Sequence, residues 1–324
     1  MKVVSVTVNY KTPQLTVRAV DSVLDDVQKL GGRVVVVDND SKDGSFELIS
    51  SEVASRNWNE LVKVVRAPMN GGFGYGINFA INAAVKGEKE PEYFYLLGSD
   101  ATIVPGSLDR LVIFMDTNPK VGLAGSRTYN PDGSLRISAF RFPNILSEIE
   151  SGLRLGIVSN LLARWTVRRP IPKTTTSVDW VSAASLIIRR EALEQVGMFD
   201  ESYFLYFEET DLCKRFRAAG WPIYYVVESA AIHVGQASTG LNNLDRPRPG
   251  YWFDSRRYYF LKHHGALGLW CANLLYVLSH LLWRARRRLQ GKPESYPPRF
   301  LSDFVRHSFW PLHAPCSDVH LPSE

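Results

Sequence analysis

Cysteine is scarce in this chain. Three thiols (Cys213, Cys271, Cys316) are scattered through 324 residues, odd in number and without a Cys-x-x-Cys pair. That argues against a disulfide framework and against a cysteine zinc site, and it fits a reducing compartment. A Gly-Lys-Ser/Thr phosphate loop is also missing, and the first apolar strand does not end in a Gly-x-Gly turn. Walker-type nucleotide hydrolysis is thereby excluded and nicotinamide dehydrogenases are disfavoured. There is no internal repeat and no low-complexity tract. The first residues enter a strand directly, so no signal peptide is expected. Positive charge is not spread evenly either. The net charge is +5 with a pI near 9.0, but much of the excess sits in Arg164 to Lys173 and Arg284 to Lys292. Such patches favour a membrane face or an anionic ligand and speak against nucleic acid as a partner.

What is present is a substantial core, with 45% hydrophobic and 22% charged residues. Lys2 to Val8 reads as a buried strand, Thr16 to Leu30 as a helix closed by Gly31-Gly32, and Arg33 to Val37 as a second strand. This β-α-β opening predicts an α/β fold with a doubly wound, mostly parallel sheet. Ligands of such sheets bind beyond the carboxyl ends of the strands. The polar segments Asn9 to Thr12 and Asp38 to Asp43 lie at two such ends. A third strand, Val62 to Ala67, leads into Asn70-Gly-Gly-Phe-Gly-Tyr-Gly-Ile-Asn78, ahead of a helix expected over Ile77 to Val85. Its glycines let backbone approach a ligand and offer free amides to phosphate oxygens; the plainer reading is a flexible helix start.

The strand Tyr93 to Leu97 ends in Gly98-Ser99-Asp100. Asp100 faces the ligand crevice, where it suits a divalent cation or simply a turn. His233 follows the strand Ile223 to Val227 and reads as a metal ligand, a phosphate contact or a structural histidine. The stretch Tyr203-Phe-Leu-Tyr-Phe-Glu-Glu-Thr-Asp211 places Glu208, Glu209 and Asp211 behind a wall of aromatics and at the mouth of a helix. There they are helix caps, or one of them is a general base for a substrate hydroxyl.

In this order and spacing, Val8-Asn9-Tyr10, Asp38-Asn39-x-Ser41-x-Asp43-Gly44, Asn70-x-Gly72-Phe73 with Asn78, Asp100, Asp179-Trp180-Val181, Gly197-x-Phe199-Asp200-Glu201, Phe204-x-Tyr206-x-Glu208-Glu209-x-Asp211 with Arg215, and His233 form one pattern. Over roughly residues 3 to 240 the chain resembles the inverting family 2 glycosyltransferases of the GT-A nucleotide-sugar fold, and within them the bacterial rhamnosyltransferase branch. The resemblance implies that Asn9, Tyr10 and Asp38 hold the nucleoside. It sets Asn70, Gly71, Gly72, Phe73 and Asn78 along the ribose and diphosphate, with Ser99 and Asp100 beside them. Asp100 and His233 would bind Mg2+ or Mn2+. Glu209 would be the base, with Glu208 and Asp211 as alternatives, and Trp180 and Tyr206 would line the acceptor side.

Three positions depart from the family's usual pattern. Gly98-Ser99 stands where a second acid or Asn-Pro usually precedes the metal Asp. Glu209 stands where Asp is usual, a difference of one methylene. Ala183-Ala184 replaces a glycine after Trp180-Val-Ser.

The expected donor is dTDP-rhamnose. A UDP-sugar (galactofuranose or N-acetylglucosamine) is the alternative, as is an inactive module that binds nucleotide-sugar or glycan. The expected acceptor is a lipid-linked or polysaccharide glycan, met at the cytoplasmic face of the bacterial inner membrane; oligomerisation is left open. Domains are expected at 1–240 (donor half about 1–128, acceptor half about 129–240) and at 241–324, a helical basic extension. Within the extension, Gly265 to Trp283 is 19 residues long, broken in its apolar run only by Asn273, Ser279 and His280. Arginines on both flanks argue for a helix lying on the membrane surface, or one buried in the protein, rather than a spanning one. Asn144 to Trp165, amphipathic and followed by Arg168 and Arg169, is a second candidate contact.

Overall fold

The structure, a computed structural model, describes residues 1–86, 90–235, 244–293 and 295–309. The chain divides into two units. The first comprises residues 1–140, 170–201 and the chain from 208 to the end of its last strand; the second takes 141–169, 202–207 and the described chain from 244 on. The helical stretch before Trp165 therefore groups with the C-terminal extension, and a six-residue excursion interrupts the first unit.

The first unit opens with β1 (Val3–Asn9), α1 (Pro13–Lys29), β2 (Arg33–Asp38), α2 (Ser45–Ser55), β3 (Val62–Arg66), α3 (Phe73–Val85) and β4 (Tyr93–Leu97). β1 is buried at every position, and β2 at all but its first, as parallel strands covered on both faces require. Pro at the first helical position starts α1, whose face of Val17, Val20, Val23, Leu24 and Val27 lies against the sheet in one core. β5 (Ala101–Ile103), α4 (Ser107–Thr117), β6 (Leu123–Tyr129), β7 (Leu135–Arg136) and β8 (Ala139–Phe140) follow.

After the excursion into the second unit's α5 (Ile145–Leu153) and α6 (Gly156–Leu161), the first unit resumes with β9 (Thr176–Val178), β10 (Trp180–Val181), β11 (Ser185–Arg189) and α7 (Arg190–Val196). It closes with α8 (Glu208–Ala218) and β12 (Ile223–His233). The sheet order is β3-β2-β1-β4-β11-β6-β12-β5. β3, β2, β1 and β4 are mutually parallel, and β6 runs parallel to β12. β11, wedged between β4 and β6, is antiparallel to both. The sheet is thus mixed around a parallel half.

In the second unit, α9 (Gly250–Leu289) is two helical segments meeting at Gly265, whose φ of 68° lies in the left-handed region. α10 (Phe300–Phe309) packs on α9 through Phe304, which stacks on Tyr276 at 4.5 Å. The polar breaks foreseen in the apolar run all point inward. Asn273 accepts from Arg256 at 2.7 Å and donates to Ser308 O. Ser279 abuts Gly152 of α5 so closely that a Cβ there would lie 2.7 Å away. His280 is buried among Tyr276, Trp283 and Tyr296. Arg256, 2% exposed, bonds Glu148 at 2.6 Å. The opposite face carries Leu267, Trp270, Leu274, Leu278, Leu281 and Leu282 in the open, Leu267 at 79% exposure. The inner face also carries Leu269, Ala272, Tyr276 and Trp283, so α9 is apolar on both sides with its few polar residues turned inward. By length and composition α9 is apolar enough to cross a membrane.

Candidate active site

The ends of β1, β2, β3, β4 and β12, with the start of α8, supply the site. At the end of β1, buried Asn9 donates to Asp38 Oδ1 (2.8 Å) and Ser41 Oγ (3.2 Å), while its carbonyl oxygen accepts from Thr16 Oγ1 (2.8 Å). Ser41 in turn donates to Asp38 through its hydroxyl (2.6 Å) and its amide (3.1 Å). Asn9 and Asp38 are therefore one knot that fixes the two turns, and Tyr10 stands beside it, partly exposed, with the Lys11 ammonium 5.5 Å from its ring centre.

The glycine-rich stretch starts α3 four residues earlier than its periodicity suggested. Gly72 caps the helix at φ 94°, a conformation that only glycine adopts without strain. Asn70 Oδ1 receives the Gly72 amide (3.1 Å) and the Asn39 amide nitrogen (2.9 Å), and Asn39 also reaches Gly72 O. Gly71 lies under the Tyr75 ring, and Phe73 opens the helix. Asn78, assigned by resemblance to the donor, spends its amide on Phe199 N and O and on Glu201 Oε1 (2.7 Å). It braces the segment before the acidic helix.

Asp100 and His233 are 133 residues apart in sequence. The antiparallel register of β12 on β5 sets His233 opposite Ala101, and His233 Nε2 comes to 3.1 Å from Asp100 Oδ1. β12 reaches this point only by continuing through a bulge between Val226 and Ala230, beyond its expected end. Both side chains are partly exposed. Among the described residues no group of three or more His, Cys, Asp or Glu side chains could hold a metal. One carboxylate and one imidazole suit a hard divalent cation whose shell is completed by phosphate oxygens and water. Ser99, just before Asp100, accepts from Thr12 Oγ1 at 3.3 Å.

The carboxylate cluster opens α8, three residues before the helix start read from sequence. Its three acids have different surroundings. Asp211, fully buried, is held by Arg215 (2.8 Å), which also donates to the carbonyls of Val196, Gly197 and Met198; this acid is committed to the fold. Glu208 is 3% exposed, and among the described residues its Oε2 has no hydrogen-bond partner. Burial, then the neighbouring Glu209 charge, push it well above the usual carboxylate range. Glu209 is half-buried, and burial pushes it up to about 7 against hydrogen bonds from its own amide and those of Ala183 and Thr210. The helix N-terminus favours negative charge by only ~0.3–2 kcal/mol, so desolvation wins.

Ala183, one of the two alanines that stand in place of the family's glycine, holds Glu209 through its amide. The next residue, Ala184, accepts from the Gly98 amide at 3.0 Å, so base candidate and Asp100 turn share the β4–β11 end. Trp180 stacks on Phe140 at 4.2 Å across the β8–β10 ribbon. Tyr206 belongs to the second unit, where it stacks on Tyr251. Ser41, Asn39 and Glu201 were inside the quoted motifs without a role; their work is to lock the loops.

A carboxyl poised near neutrality at a helix start can take a proton from a hydroxyl, and a carboxylate–imidazole pair beyond strand ends could hold a divalent cation that would help neutralise a leaving diphosphate. The family described as Glycosyl transferase family 2 matches residues 3–197. An N-acetylglucosaminyl-diphospho-decaprenol L-rhamnosyltransferase from Mycobacterium tuberculosis is 30% identical over 275 residues, covering 79% of this chain and 84% of the relative. Among solved structures, GalNAc-T7 with UDP, GalNAc and Mn2+ aligns with a TM-score of 0.56 at 15% identity, over 82% of this chain and 51% of that one. The mannosyltransferase PcManGT of Pyrobaculum calidifontis, in complex with GDP-Man and Mn2+, aligns at 0.55 and 13% identity, over 91% and 76%. Those two likenesses establish the GT-A-like fold. The chain belongs to glycosyl transferase family 2 and is a glycosyltransferase of the rhamnosyltransferase-like kind.

Proposed function

We propose that this protein transfers L-rhamnose from dTDP-rhamnose to a hydroxyl of a lipid-linked glycan, with inversion at the anomeric carbon, at the cytoplasmic face of a bacterial inner membrane. The observation that carries the reading is the relative whose name specifies a rhamnosyl transfer to a diphospho-decaprenol acceptor, matched over 84% of its length. Glu209 is the base. Its carboxylate takes the proton of the acceptor hydroxyl as that oxygen bonds the anomeric carbon and the bond to the nucleoside diphosphate breaks. A carboxyl near 7 is suited to this, because it is substantially ionised at neutral pH yet basic enough to accept the proton.

Tyr10 and the turns that the Asn9–Asp38–Ser41 knot fixes hold the nucleoside; Asn70 to Phe73 present backbone to ribose and diphosphate. Asp100 and His233 would hold Mg2+ or Mn2+, which when bound supplies positive charge to the departing diphosphate. Trp180, in its stack with Phe140, offers a flat face to the acceptor sugar.

Membrane attachment belongs to the same reading. α9 turns its leucine face outward while its inner face, with Arg256, Asn273 and His280, is packed within the second unit, so the helix lies in the interface and does not cross. Arg284, Arg287 and Arg288 follow the stripe, where anionic lipid contributes ~1 kcal/mol per basic residue. α6 adds exposed Ile157 and Leu161.

The test is calorimetric titration with dTDP and UDP in the presence of Mn2+, followed by turnover of both sugar series. Tighter binding of dTDP and turnover of dTDP-rhamnose are expected. Turnover confined to a UDP-sugar overturns the donor assignment.

A further inference from the structure

The hexapeptide Ser202–Phe207 is a structural oddity. The chain before it and the chain after it belong to the first unit, but these six residues pack in the second. Its last two residues, Tyr206 and Phe207, both stand at φ 70°. Two successive left-handed aromatic residues are costly, because each Cβ crowds the following carbonyl; the penalty per residue is equivalent to on the order of tenfold in an equilibrium. Such backbone persists only where surrounding contacts hold it.

Those contacts come from one face of the first segment of α9. Tyr251 stacks on Tyr206 and meets Phe204 at 5.5 Å. Trp252 and Tyr259 flank Phe207 at 6.4 and 5.4 Å. Ser255 Oγ donates to Leu205 O at 3.0 Å. Tyr203 is fully buried in the same cluster, edge-on to Tyr258. The residue after Phe207 is Glu208, the first of α8, and Glu209 follows.

We propose that Tyr206 and Phe207 are positioning residues. The α9 aromatics force the left-handed pair, and the pair holds the backbone that leads directly into the first turn of α8, where Glu209 is the second residue. The proposal rests on Glu209 as base only for its catalytic consequence; the structural consequence stands without it.

The two parts are tested separately, in the full-length protein. The first readout needs no substrate: hydrogen–deuterium exchange of peptides covering 208–216, in wild type, Phe207→Ala, Phe207→Gly and Ser255→Ala. Phe207→Ala keeps the Cβ penalty and loses the ring that offsets it, so exchange in the first turn of α8 rises on the order of tenfold. Phe207→Gly loses the same ring but adopts φ 70° freely, so it exchanges more slowly than Phe207→Ala. Ser255→Ala gives a smaller rise in the same peptides.

The order of glycine above alanine is the signature, since glycine otherwise weakens a helix start relative to alanine. Ser255→Ala, the mildest change, keeps the test open if the Phe207 variants do not fold. The second readout is turnover of dTDP-rhamnose, where kcat falls in the same order while KM for the donor holds. Alanine protecting as well as glycine, or unchanged exchange in all three variants, overturns the proposal. The expected exchange order without any rhamnosyl turnover in wild type overturns only the donor reading.

Discussion

Replacing Glu209 by Gln keeps the shape of the side chain and its ability to accept from the Ala183 amide, but it removes both the charge and the proton-accepting power. The structure fixes the sign of the stability effect. Burial raises the Glu209 carboxyl from 4.5 to about 7, so the folded state binds this proton more tightly than the unfolded state does. Folding is therefore penalised as pH rises from about 4.5, and the penalty is complete above about 7. At about 1.36 kcal/mol per pH unit, the full penalty is on the order of 3 kcal/mol. Glu209→Gln should thus match wild type in stability near pH 4 and exceed it by up to ~3 kcal/mol near pH 8, measured by urea unfolding across that range. Turnover moves oppositely: wild-type kcat climbs as pH passes about 7, and the variant loses ~100-fold or more while still binding nucleotide. A variant that is less stable than wild type at pH 8 would refute the desolvation argument. Near-normal turnover, with Glu208→Gln or Asp211→Asn inactive instead, would refute the choice of base.

Asp100→Asn removes the only carboxylate of the Asp100–His233 pair; titration of dTDP should lose its dependence on added Mn2+ and weaken, while the thermal midpoint stays within a few degrees. Arg256→Ala strands Glu148 in the interior of the second unit, costing ~3–5 kcal/mol in chemical unfolding; pairing it with Glu148→Gln should recover part of that loss. Leu274→Glu with Leu278→Glu places charge on the exposed face of α9 and should abolish flotation with anionic liposomes without unfolding the protein. Wild-type protein that ignores both anionic and neutral liposomes would contradict the membrane reading.

The parallel half of the fold was legible because β1, β2 and β4 are buried on both faces and announce themselves as apolar runs, with the edge strand β3 following the same alternation of strand and helix. α2 went unread: its buried positions are only Ser45, Ile49 and Val53, too sparse to mark a helical face. Helix starts were misjudged where tertiary contacts decide them. α3 begins at Phe73 because Gly72 supplies a left-handed cap, and α8 begins at Glu208 because the strained aromatic pair turns the chain there. The spacing of the motifs gave the inventory of candidate residues but not their division of labour. That Asn78 is a brace, that Asp211 belongs to Arg215, and that His233 meets Asp100 all depend on partners from about four to more than a hundred residues away. The inward Asn273, Ser279 and His280 read as interruptions of an apolar run; only packing against α5 and α10 reveals the leucines as the outer face.

The central claim is rhamnosyl transfer to a lipid-linked acceptor, and one measurement addresses it directly. Purified full-length protein is incubated with dTDP-rhamnose, Mn2+ and polyprenyl-diphospho-N-acetylglucosamine in anionic vesicles, and the lipid product is read by mass spectrometry and its anomeric configuration by NMR. The account predicts a lipid heavier by one deoxyhexose, with configuration inverted relative to the donor and none formed by Glu209→Gln. Transfer with retention, or transfer only from a UDP-sugar, would contradict it.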